Sequence, residues 1–229
     1  MDNMNSSMLL KKGAEASLYL ADWHSRRVII KARLPKKYRP AELDRQIRNY
    51  RTIHEPQLMH EAKKAGVPTP KIFRVDVKNS VIIMEFIEGK QVKAVLDSLS
   101  KMSREDLCGK IGQLIGRLHG RGVVHGDLTT SNMILDAEGR VVMVDFGLGE
   151  KTVELEAKGV DLHLMKRALQ STHYEFADES FENIIRGYSM VLGKENAKKI
   201  LAKIAEIEKR GRYVAERKQE SGNKIQPEG

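Results

Sequence analysis

An α+β fold, with short strands gathered near the N-terminus and helices filling most of the remainder, is what the 229-residue sequence predicts. Three observations carry that prediction. Apolar and β-branched residues before residue 35 fall in short runs bounded by turn-forming residues. From Ser103 onward, apolar residues recur at helical spacing over long segments. Within that second half, two polar stretches, His125-Gly126-Asp127-Leu128-Thr129-Thr130-Ser131-Asn132 and Val144-Asp145-Phe146-Gly147, are separated by a hairpin's worth of residues. The length allows one substantial core or two small lobes sharing a cleft. A hydrophobic content of 41% belongs to a globular chain rather than a disordered one.

In chain order, residues 8–10, 16–21 and 28–34 read as strands, with Gly13 between the first two and a turn over 22–26. Thr52-Ile53-His54-Glu55 fits a capping box, so a helix is expected from about Thr52, with Pro56 near its first turn, to a stop at Gly66. Val75-Asp76 and residues 80–87 read as a hairpin, and Met84-Glu85-Phe86-Ile87-Glu88-Gly89 as a connector after it. An amphipathic helix over 103–121 buries Leu107, Ile111, Leu114, Ile115 and Leu118. Leu135 and residues 141–144 flank a turn at Glu138-Gly139. Segments 160–170, 180–190 and 194–218 read as helices, and 219–229 as a disordered tail.

The two polar stretches carry chemistry. The first has the pattern H-x-D-x-x-x-x-N of a catalytic loop and the second is the D-F-G metal-binding turn of the protein-kinase superfamily, in the required order. Asp127 is expected to orient an attacking hydroxyl or water and accept its proton. Asn132 and Asp145 supply the hard oxygen ligands that suit Mg²⁺ bridging to the phosphates of ATP. Lys31, closing the apolar run Val28-Ile29-Ile30, matches the strand lysine that holds the α- and β-phosphates. It needs a glutamate from the following helix, and Glu55 and Glu61 both qualify. Gly13, Ala14, Glu15 and Ala16 occupy the place of a glycine-rich loop with a single glycine. Glu85 and Ile87 sit where a connector between lobes would hold adenine through backbone groups. No A-P-E follows Gly147, and 82 residues remain after it, so the usual activation and peptide-substrate segment is missing or replaced.

Net charge is +9, and residues 1–51 hold twelve Lys/Arg against five Asp/Glu, including Arg26, Arg27, Arg33, Lys36, Lys37, Arg39, Arg45, Arg48 and Arg51. Such a patch attracts polyanions, nucleic acid in particular. Aromatic residues are few there (Trp23, Tyr38, Tyr50), so phosphate contacts are expected rather than base stacking. The single cysteine, Cys108, has no intramolecular partner and reads as a packing residue. No window approaches a membrane span and residues 1–10 lack a signal-peptide pattern, so a cytoplasmic protein without membrane contacts is expected.

The chain resembles the small atypical kinases of the KEOPS complex, the PRPK family, over residues 9–212. The marks are Gly13-Ala14-Glu15-Ala16, Ile30-Lys31, Arg51-Thr52 with Glu55, Met84-Glu85 with Ile87-Glu88-Gly89, the whole loop 125–132, Asp145-Phe146-Gly147-Leu148, Gly159-Val160-Asp161-Leu162 and Ser171-Thr172-His173. The resemblance implies a bilobal, protein-kinase-like fold: a small β-rich N-terminal lobe (1–86), an abbreviated helical C-terminal lobe (87–218) and the tail (219–229). It selects Glu55 over Glu61 as the partner of Lys31. It also implies ATP and Mg²⁺ as cofactors, and ATP hydrolysis or serine/threonine phosphorylation, with autophosphorylation. The implied setting is the complex that installs threonylcarbamoyl on adenosine 37 of tRNA. There the chain is the kinase subunit, bound to the transferase and other subunits, with tRNA backbone contacts from the basic N-terminal stretch and from Arg210, Arg212, Arg217 and Lys218.

Two departures stand out, one from regulated kinases and one from the resembled family. Gly126 replaces their arginine and Thr129 their lysine, so no group there reads an activation-loop phosphate. Beyond Lys209-Arg210-Gly211-Arg212 runs a longer mixed-charge extension than the family usually carries. A rival, the aminoglycoside- or choline-type phosphotransferase, shares H-G-D but follows it with histidine and carries a larger C-terminal substrate lobe. A binding scaffold with a vestigial site is opposed by the intact Lys31, Asp127, Asn132 and Asp145.

Overall fold

Alternation with period two builds the N-terminal part of the computed structural model, which describes residues 4–222, with side chains from residue 7 to residue 210. β1 (Met4–Lys12), β2 (Ser17–Trp23) and β3 (Arg26–Ala32) form an antiparallel meander. His24 and Ser25 join β2 to β3 with φ of 48° and 60°, the left-handed pair that matches strand twist in a two-residue hairpin. On β3, Val28 and Ile30 cluster with Ala21 and Ile83 on one face. Ile29 and Lys31 therefore project from the other, into the cleft. α1 (Ala41–Lys64) leads to β4 (Ile72–Asp76) and β5 (Val81–Glu85), completing a sheet of order β1-β2-β3-β5-β4.

α1 departs most from expectation, because it begins at Ala41 rather than near Thr52. Pro40 stands at the N-cap position; Glu42 and Asp44 in the first turn and Lys63 and Lys64 in the last complement the helix dipole. Thr52 caps nothing: it is buried in mid-helix, and its hydroxyl donates back to the Arg48 carbonyl at 2.7 Å. The three-residue spacing of a capping box is also one turn of a helix face, and Thr52, Glu55, Met59 and Ala62 are buried along one such face. The stop at Gly66 is as expected. With φ at 74°, Gly66 N–H donates to Lys63 O and Val67 N–H to Ala62 O, a Schellman closure.

The second part is mainly helical. β6 (Gly89–Gln91) and α2 (Val92–Val95) precede α3 (Lys101–Gly120), whose N-cap Ser100 accepts the Ser103 N–H at 3.3 Å. β7 (Val123–Val124), β8 (Met133–Asp136), β9 (Val141–Met143) and β10 (Glu150–Lys151) carry the loops between them; β6 pairs with β8 and β7 with β10. α4 (Leu155–Thr172), α5 (Ala177–Leu192) and α6 (Lys194–Gly222) complete the chain. Residues 219–222, expected in a disordered tail, belong to α6, and 223–229 lie outside the described residues.

The expected stripe of α3, Leu107 to Leu118, lies in the main core with Leu162, Met165 and Ile184. α3 and α5 approach so closely that a Cβ at Gly112 would lie 1.9 Å from Ile184 O, and one at Gly187 2.0 Å from Gly109 O. Cys108 is a buried free thiol, and burial pushes its pKa up to about 11. Among the described residues, no helix is long and apolar enough to cross a membrane.

Candidate active site

Lys31 and Arg33 lie two residues apart at the end of β3, so both reach the same face. They grip one carboxylate from α1. Lys31 Nζ donates to Glu55 Oε1 at 2.8 Å, Arg33 Nη2 donates to Glu55 Oε2, and all three side chains are buried. Lys31 also donates to Asp145 Oδ1 at 2.5 Å. Burial would raise the Asp145 carboxyl, but the Lys31 ammonium beside it, with His125 and the Gly147 N–H, holds it below the ordinary carboxylate value. Glu61 instead pairs with Lys64 and Lys151, at 3.2 Å each. Of the two candidates, Glu55 is the one that meets Lys31.

The loop 125–132 is fastened from several sides. The buried His125 ring places Nε2 3.1 Å from Val144 O, tying the loop to the strand before Asp145, and packs on Phe146 with centroids 4.5 Å apart. Asp161 of α4 accepts the His125 N–H at 2.7 Å and the Gly126 N–H at 2.9 Å, and lies 3.2 Å from His119 Nε2. Its burial would raise its carboxyl, yet these donors hold it below the ordinary value. Thr130 Oγ1 meets His173 Nε2 at 3.0 Å, and His173 Nδ1 meets Asp97 at 2.7 Å. Gly126 is obligatory: its φ is 77°, and a Cβ would lie 2.0 Å from Leu148 O.

These anchors fix Asp127 and Asn132 relative to each other. Asn132 Nδ2 donates to Asp127 Oδ2 at 2.8 Å and to Asp127 O at 2.9 Å, which uses both hydrogens of the amide nitrogen. Asp145 adopts a positive φ of 65° in the D-F-G turn. A cavity of about 290 Å³ is lined by Asp127, Asn132, Asp145, Lys31, Arg33 and Arg51, and is covered by the turn 13–16, where Gly13 N–H donates to Ala16 O at 2.9 Å. It adjoins a second cavity of about 330 Å³ walled by Leu18, Ile29, Met84, Ile134 and Val144 and bordered by Glu85 and Ile87. Glu85 N–H is engaged by Lys71 O at 2.8 Å.

The basic N-terminal stretch is mostly spoken for. Arg33 is tied to Glu55, Arg39 and Arg51 to Glu15, Arg48 to Asp44 and Arg45 to Glu42, while Arg27 stacks 4.4 Å over Phe86. Among the described residues, Lys11, Lys12, Arg26, Lys36 and Lys37 remain without an ion pair, as does Arg27 apart from its ring contact. At the other end Arg210 pairs with Glu156. The side chains of Arg212, Arg217 and Lys218 lie outside the described ones.

Comparison with known families places this site. The sequence model of the RIO domain matches residues 24–185. The chain belongs to the RIO-domain family. Its relatives include the KEOPS complex subunit Bud32 of Pyrococcus abyssi, 47% identical over 211 residues, which are 90% of this chain and 96% of that protein. A probable bifunctional tRNA threonylcarbamoyladenosine biosynthesis protein of Methanothermobacter thermautotrophicus is 44% identical over 206 residues, and there the match spans 36% of the longer protein. Among solved structures, the ADP/Mg²⁺-phosphoaspartate complex of Chaetomium thermophilum Rio2 kinase shares the fold, with a TM-score of 0.62 at 17% identity over 90% of this chain and 72% of that one. The resemblance to the KEOPS kinases and the sheet-then-helix, kinase-like fold are both borne out.

In this RIO-family chain, Arg33, Arg51, Asp161 and His173 are site-building residues that the sequence did not place in the site, Arg33 and Arg51 being expected only in the basic patch. The alternation Lys31-x-Arg33 was the available signal for the first. For Asp161 and His173 it was their place in polar motifs that the catalytic loop and D-F-G do not include.

Proposed function

We propose that this chain is an Mg²⁺- and ATP-dependent phosphoryl-transfer enzyme. In this reading it is an ATPase and atypical serine/threonine kinase, capable of autophosphorylation, and serves as the kinase subunit of a cytoplasmic KEOPS assembly in threonylcarbamoyladenosine modification of tRNA position 37. One observation carries it: Lys31, Asp127, Asn132 and Asp145, distant in sequence, line one cavity that adjoins an apolar one bordered by Glu85 and Ile87. Adenine lies against the Glu85 carbonyl and the Ile87 amide. Lys31, oriented by Glu55, holds the α- and β-phosphates beneath the turn 13–16. Mg²⁺ fits Asn132 and Asp145, because the Asn132 nitrogen is spent on Asp127 and its oxygen remains, while Asp145 is kept ionised. Bound there, the ion would neutralise charge on the transferred phosphoryl group. Asp127, its carboxylate steadied by Asn132, accepts the proton of the attacking hydroxyl or water. The Bud32 relative, a KEOPS complex subunit, supports assembly with other subunits, of which the transferase is the one we propose, and Arg26, Lys36 and Lys37 are among the unpaired cations open to tRNA phosphates.

ATP hydrolysis by the purified chain, measured with and without tRNA and the cognate transferase subunit, tests the reading. Stimulation by those partners, lost in Asp145→Ala, is expected. Stimulation by an aminoglycoside or choline alone would overturn it.

A further inference from the structure

The phosphate-side cavity contains an acid that the reading above does not use. Asp127 and Asp145 have roles there, and Glu55 anchors Lys31, but Glu15 also lines the cavity, from the covering turn. Its carboxylate is paired: Arg51 Nη1 lies 2.6 Å from Oε2, and Arg39 Nη2 lies 3.3 Å from Oε1. Glu15 is 42% exposed and Arg51 22%, so the acid sits outermost and the guanidinium lies beneath it. Arg51 lies one turn before Glu55 on α1, so the helix offers both side chains to the same side of the site. Arg51 and Glu15 line the cavity that holds Asp127 and are absent from the lining of the apolar adenine-side cavity. They stand at the end of the site remote from the base, where a third phosphate would lie.

We infer that Arg51 is a ligand for the terminal phosphate of a nucleoside triphosphate, held in reserve by Glu15, which serves as a stand-in anion while the site is free. The inference rests on the phosphoryl-transfer reading and deepens it. A guanidinium donates to phosphate oxygens in the same forked geometry as to a carboxylate, and the polyanionic phosphate carries more charge than Glu15. A carboxylate left in place would repel the incoming phosphate. Arg39, already within reach of the other Glu15 oxygen, gives the displaced carboxylate a partner, so the exchange leaves neither charge stranded. The pair thereby distinguishes triphosphate from diphosphate.

Titration calorimetry of the full chain with a non-hydrolysable ATP analogue and with ADP, both with Mg²⁺, tests this in wild type, Glu15→Gln, Arg51→Gln and the double variant. Arg51→Gln should weaken the triphosphate analogue about tenfold or more while changing ADP less than about threefold. Glu15→Gln should tighten the analogue about threefold, and should gain nothing in the Arg51→Gln background. Equal weakening of both nucleotides by Arg51→Gln, no change in either, or weakening of the analogue by Glu15→Gln would each overturn the inference. Glu15 lies on an exposed turn, so its arm remains readable even where Arg51→Gln fails to fold. Wild-type protein that binds neither nucleotide removes the phosphoryl-transfer reading as well; binding that is indifferent to both substitutions removes only this inference.

Discussion

Replacing Asp161 by asparagine changes one oxygen to an NH₂ group at the point where α4 holds the catalytic loop. Oδ2 accepts from His125 N–H and meets His119 Nε2, while Oδ1 accepts from Gly126 N–H. The least costly orientation keeps the oxygen toward His125, so the new NH₂ faces the Gly126 N–H and leaves that half-buried donor without an acceptor, costing about 1–3 kcal/mol. The two surviving contacts turn from charge-assisted to neutral and lose about 1 kcal/mol each. The expected loss is about 3–5 kcal/mol, which for a chain of this size lowers Tm by about 6–20 °C. The sign with pH follows from the carboxyl, which is held below its ordinary value of 3.8. Its contribution is present in full above that value and is lost as pH falls through the folded-state pKa, so the variant should show a shallower acid limb than the wild type. Thermal melts from pH 7 down to pH 3, with ATP turnover measured at neutral pH, read all of this. Nucleotide affinity should hold, since Lys31, Glu55 and Asp145 do not touch Asp161, while turnover falls. A Tm within about 2 °C of wild type and an unchanged acid limb would refute the assignment of Asp161 as the clamp of the loop.

Asp127→Ala should lower ATP turnover by about two orders of magnitude or more and leave nucleotide affinity within about threefold, because Asn132 and Asp145 remain; parallel loss of binding would count against its role as proton acceptor. Cys108, with its pKa near 11, should resist alkylation in the native protein at pH 8 and react once denatured, as mass spectrometry can follow. Neutralising Arg26, Lys36 and Lys37 together should flatten the salt dependence of tRNA binding by about 2–3 units of slope, and an unchanged slope would show that this face meets no phosphate.

The strands of the N-terminal sheet, the hairpin before Asp145, the Gly66 stop and the loops around Asp127 and Asp145 were legible because their signals are local: alternation, a left-handed glycine, fixed spacing. The first three turns of α1 were not. Residues 41–51 carry few apolar side chains, and the face that the helix buries includes Asp44, Thr52 and Glu55, to which hydrophobic periodicity is blind. Charge counting failed in a related way, since it cannot separate Lys36, which has no ion pair among the described residues, from Arg33 and Arg51, which are committed to acids inside the site. Arg33 meets its partner 22 residues away and Asp161 meets the loop 35 and 36 residues away, separations that no short motif spans. Where the residues alone left Glu55 and Glu61 open, the burial of one and the surface pairing of the other decide between them.

The glycine contacts between α3 and α5 bear on how the molecule can move. With Gly112 against the Ile184 carbonyl and Gly187 against the Gly109 carbonyl, each backbone is seated in a notch of the other. Sliding either helix by one residue would drive a side chain into a main-chain oxygen, so the pair behaves as a keyed joint rather than a sliding one. Shear within the helical base is thereby forbidden. α1 is tied into that base through Leu58, Met59 and Ala62 in the shared core, so cleft motion falls to β1–β3, which face the base across the site through exchangeable charges such as Lys31 with Asp145. An entering nucleotide can compete for such a contact, whereas it has no means of loosening the joint below.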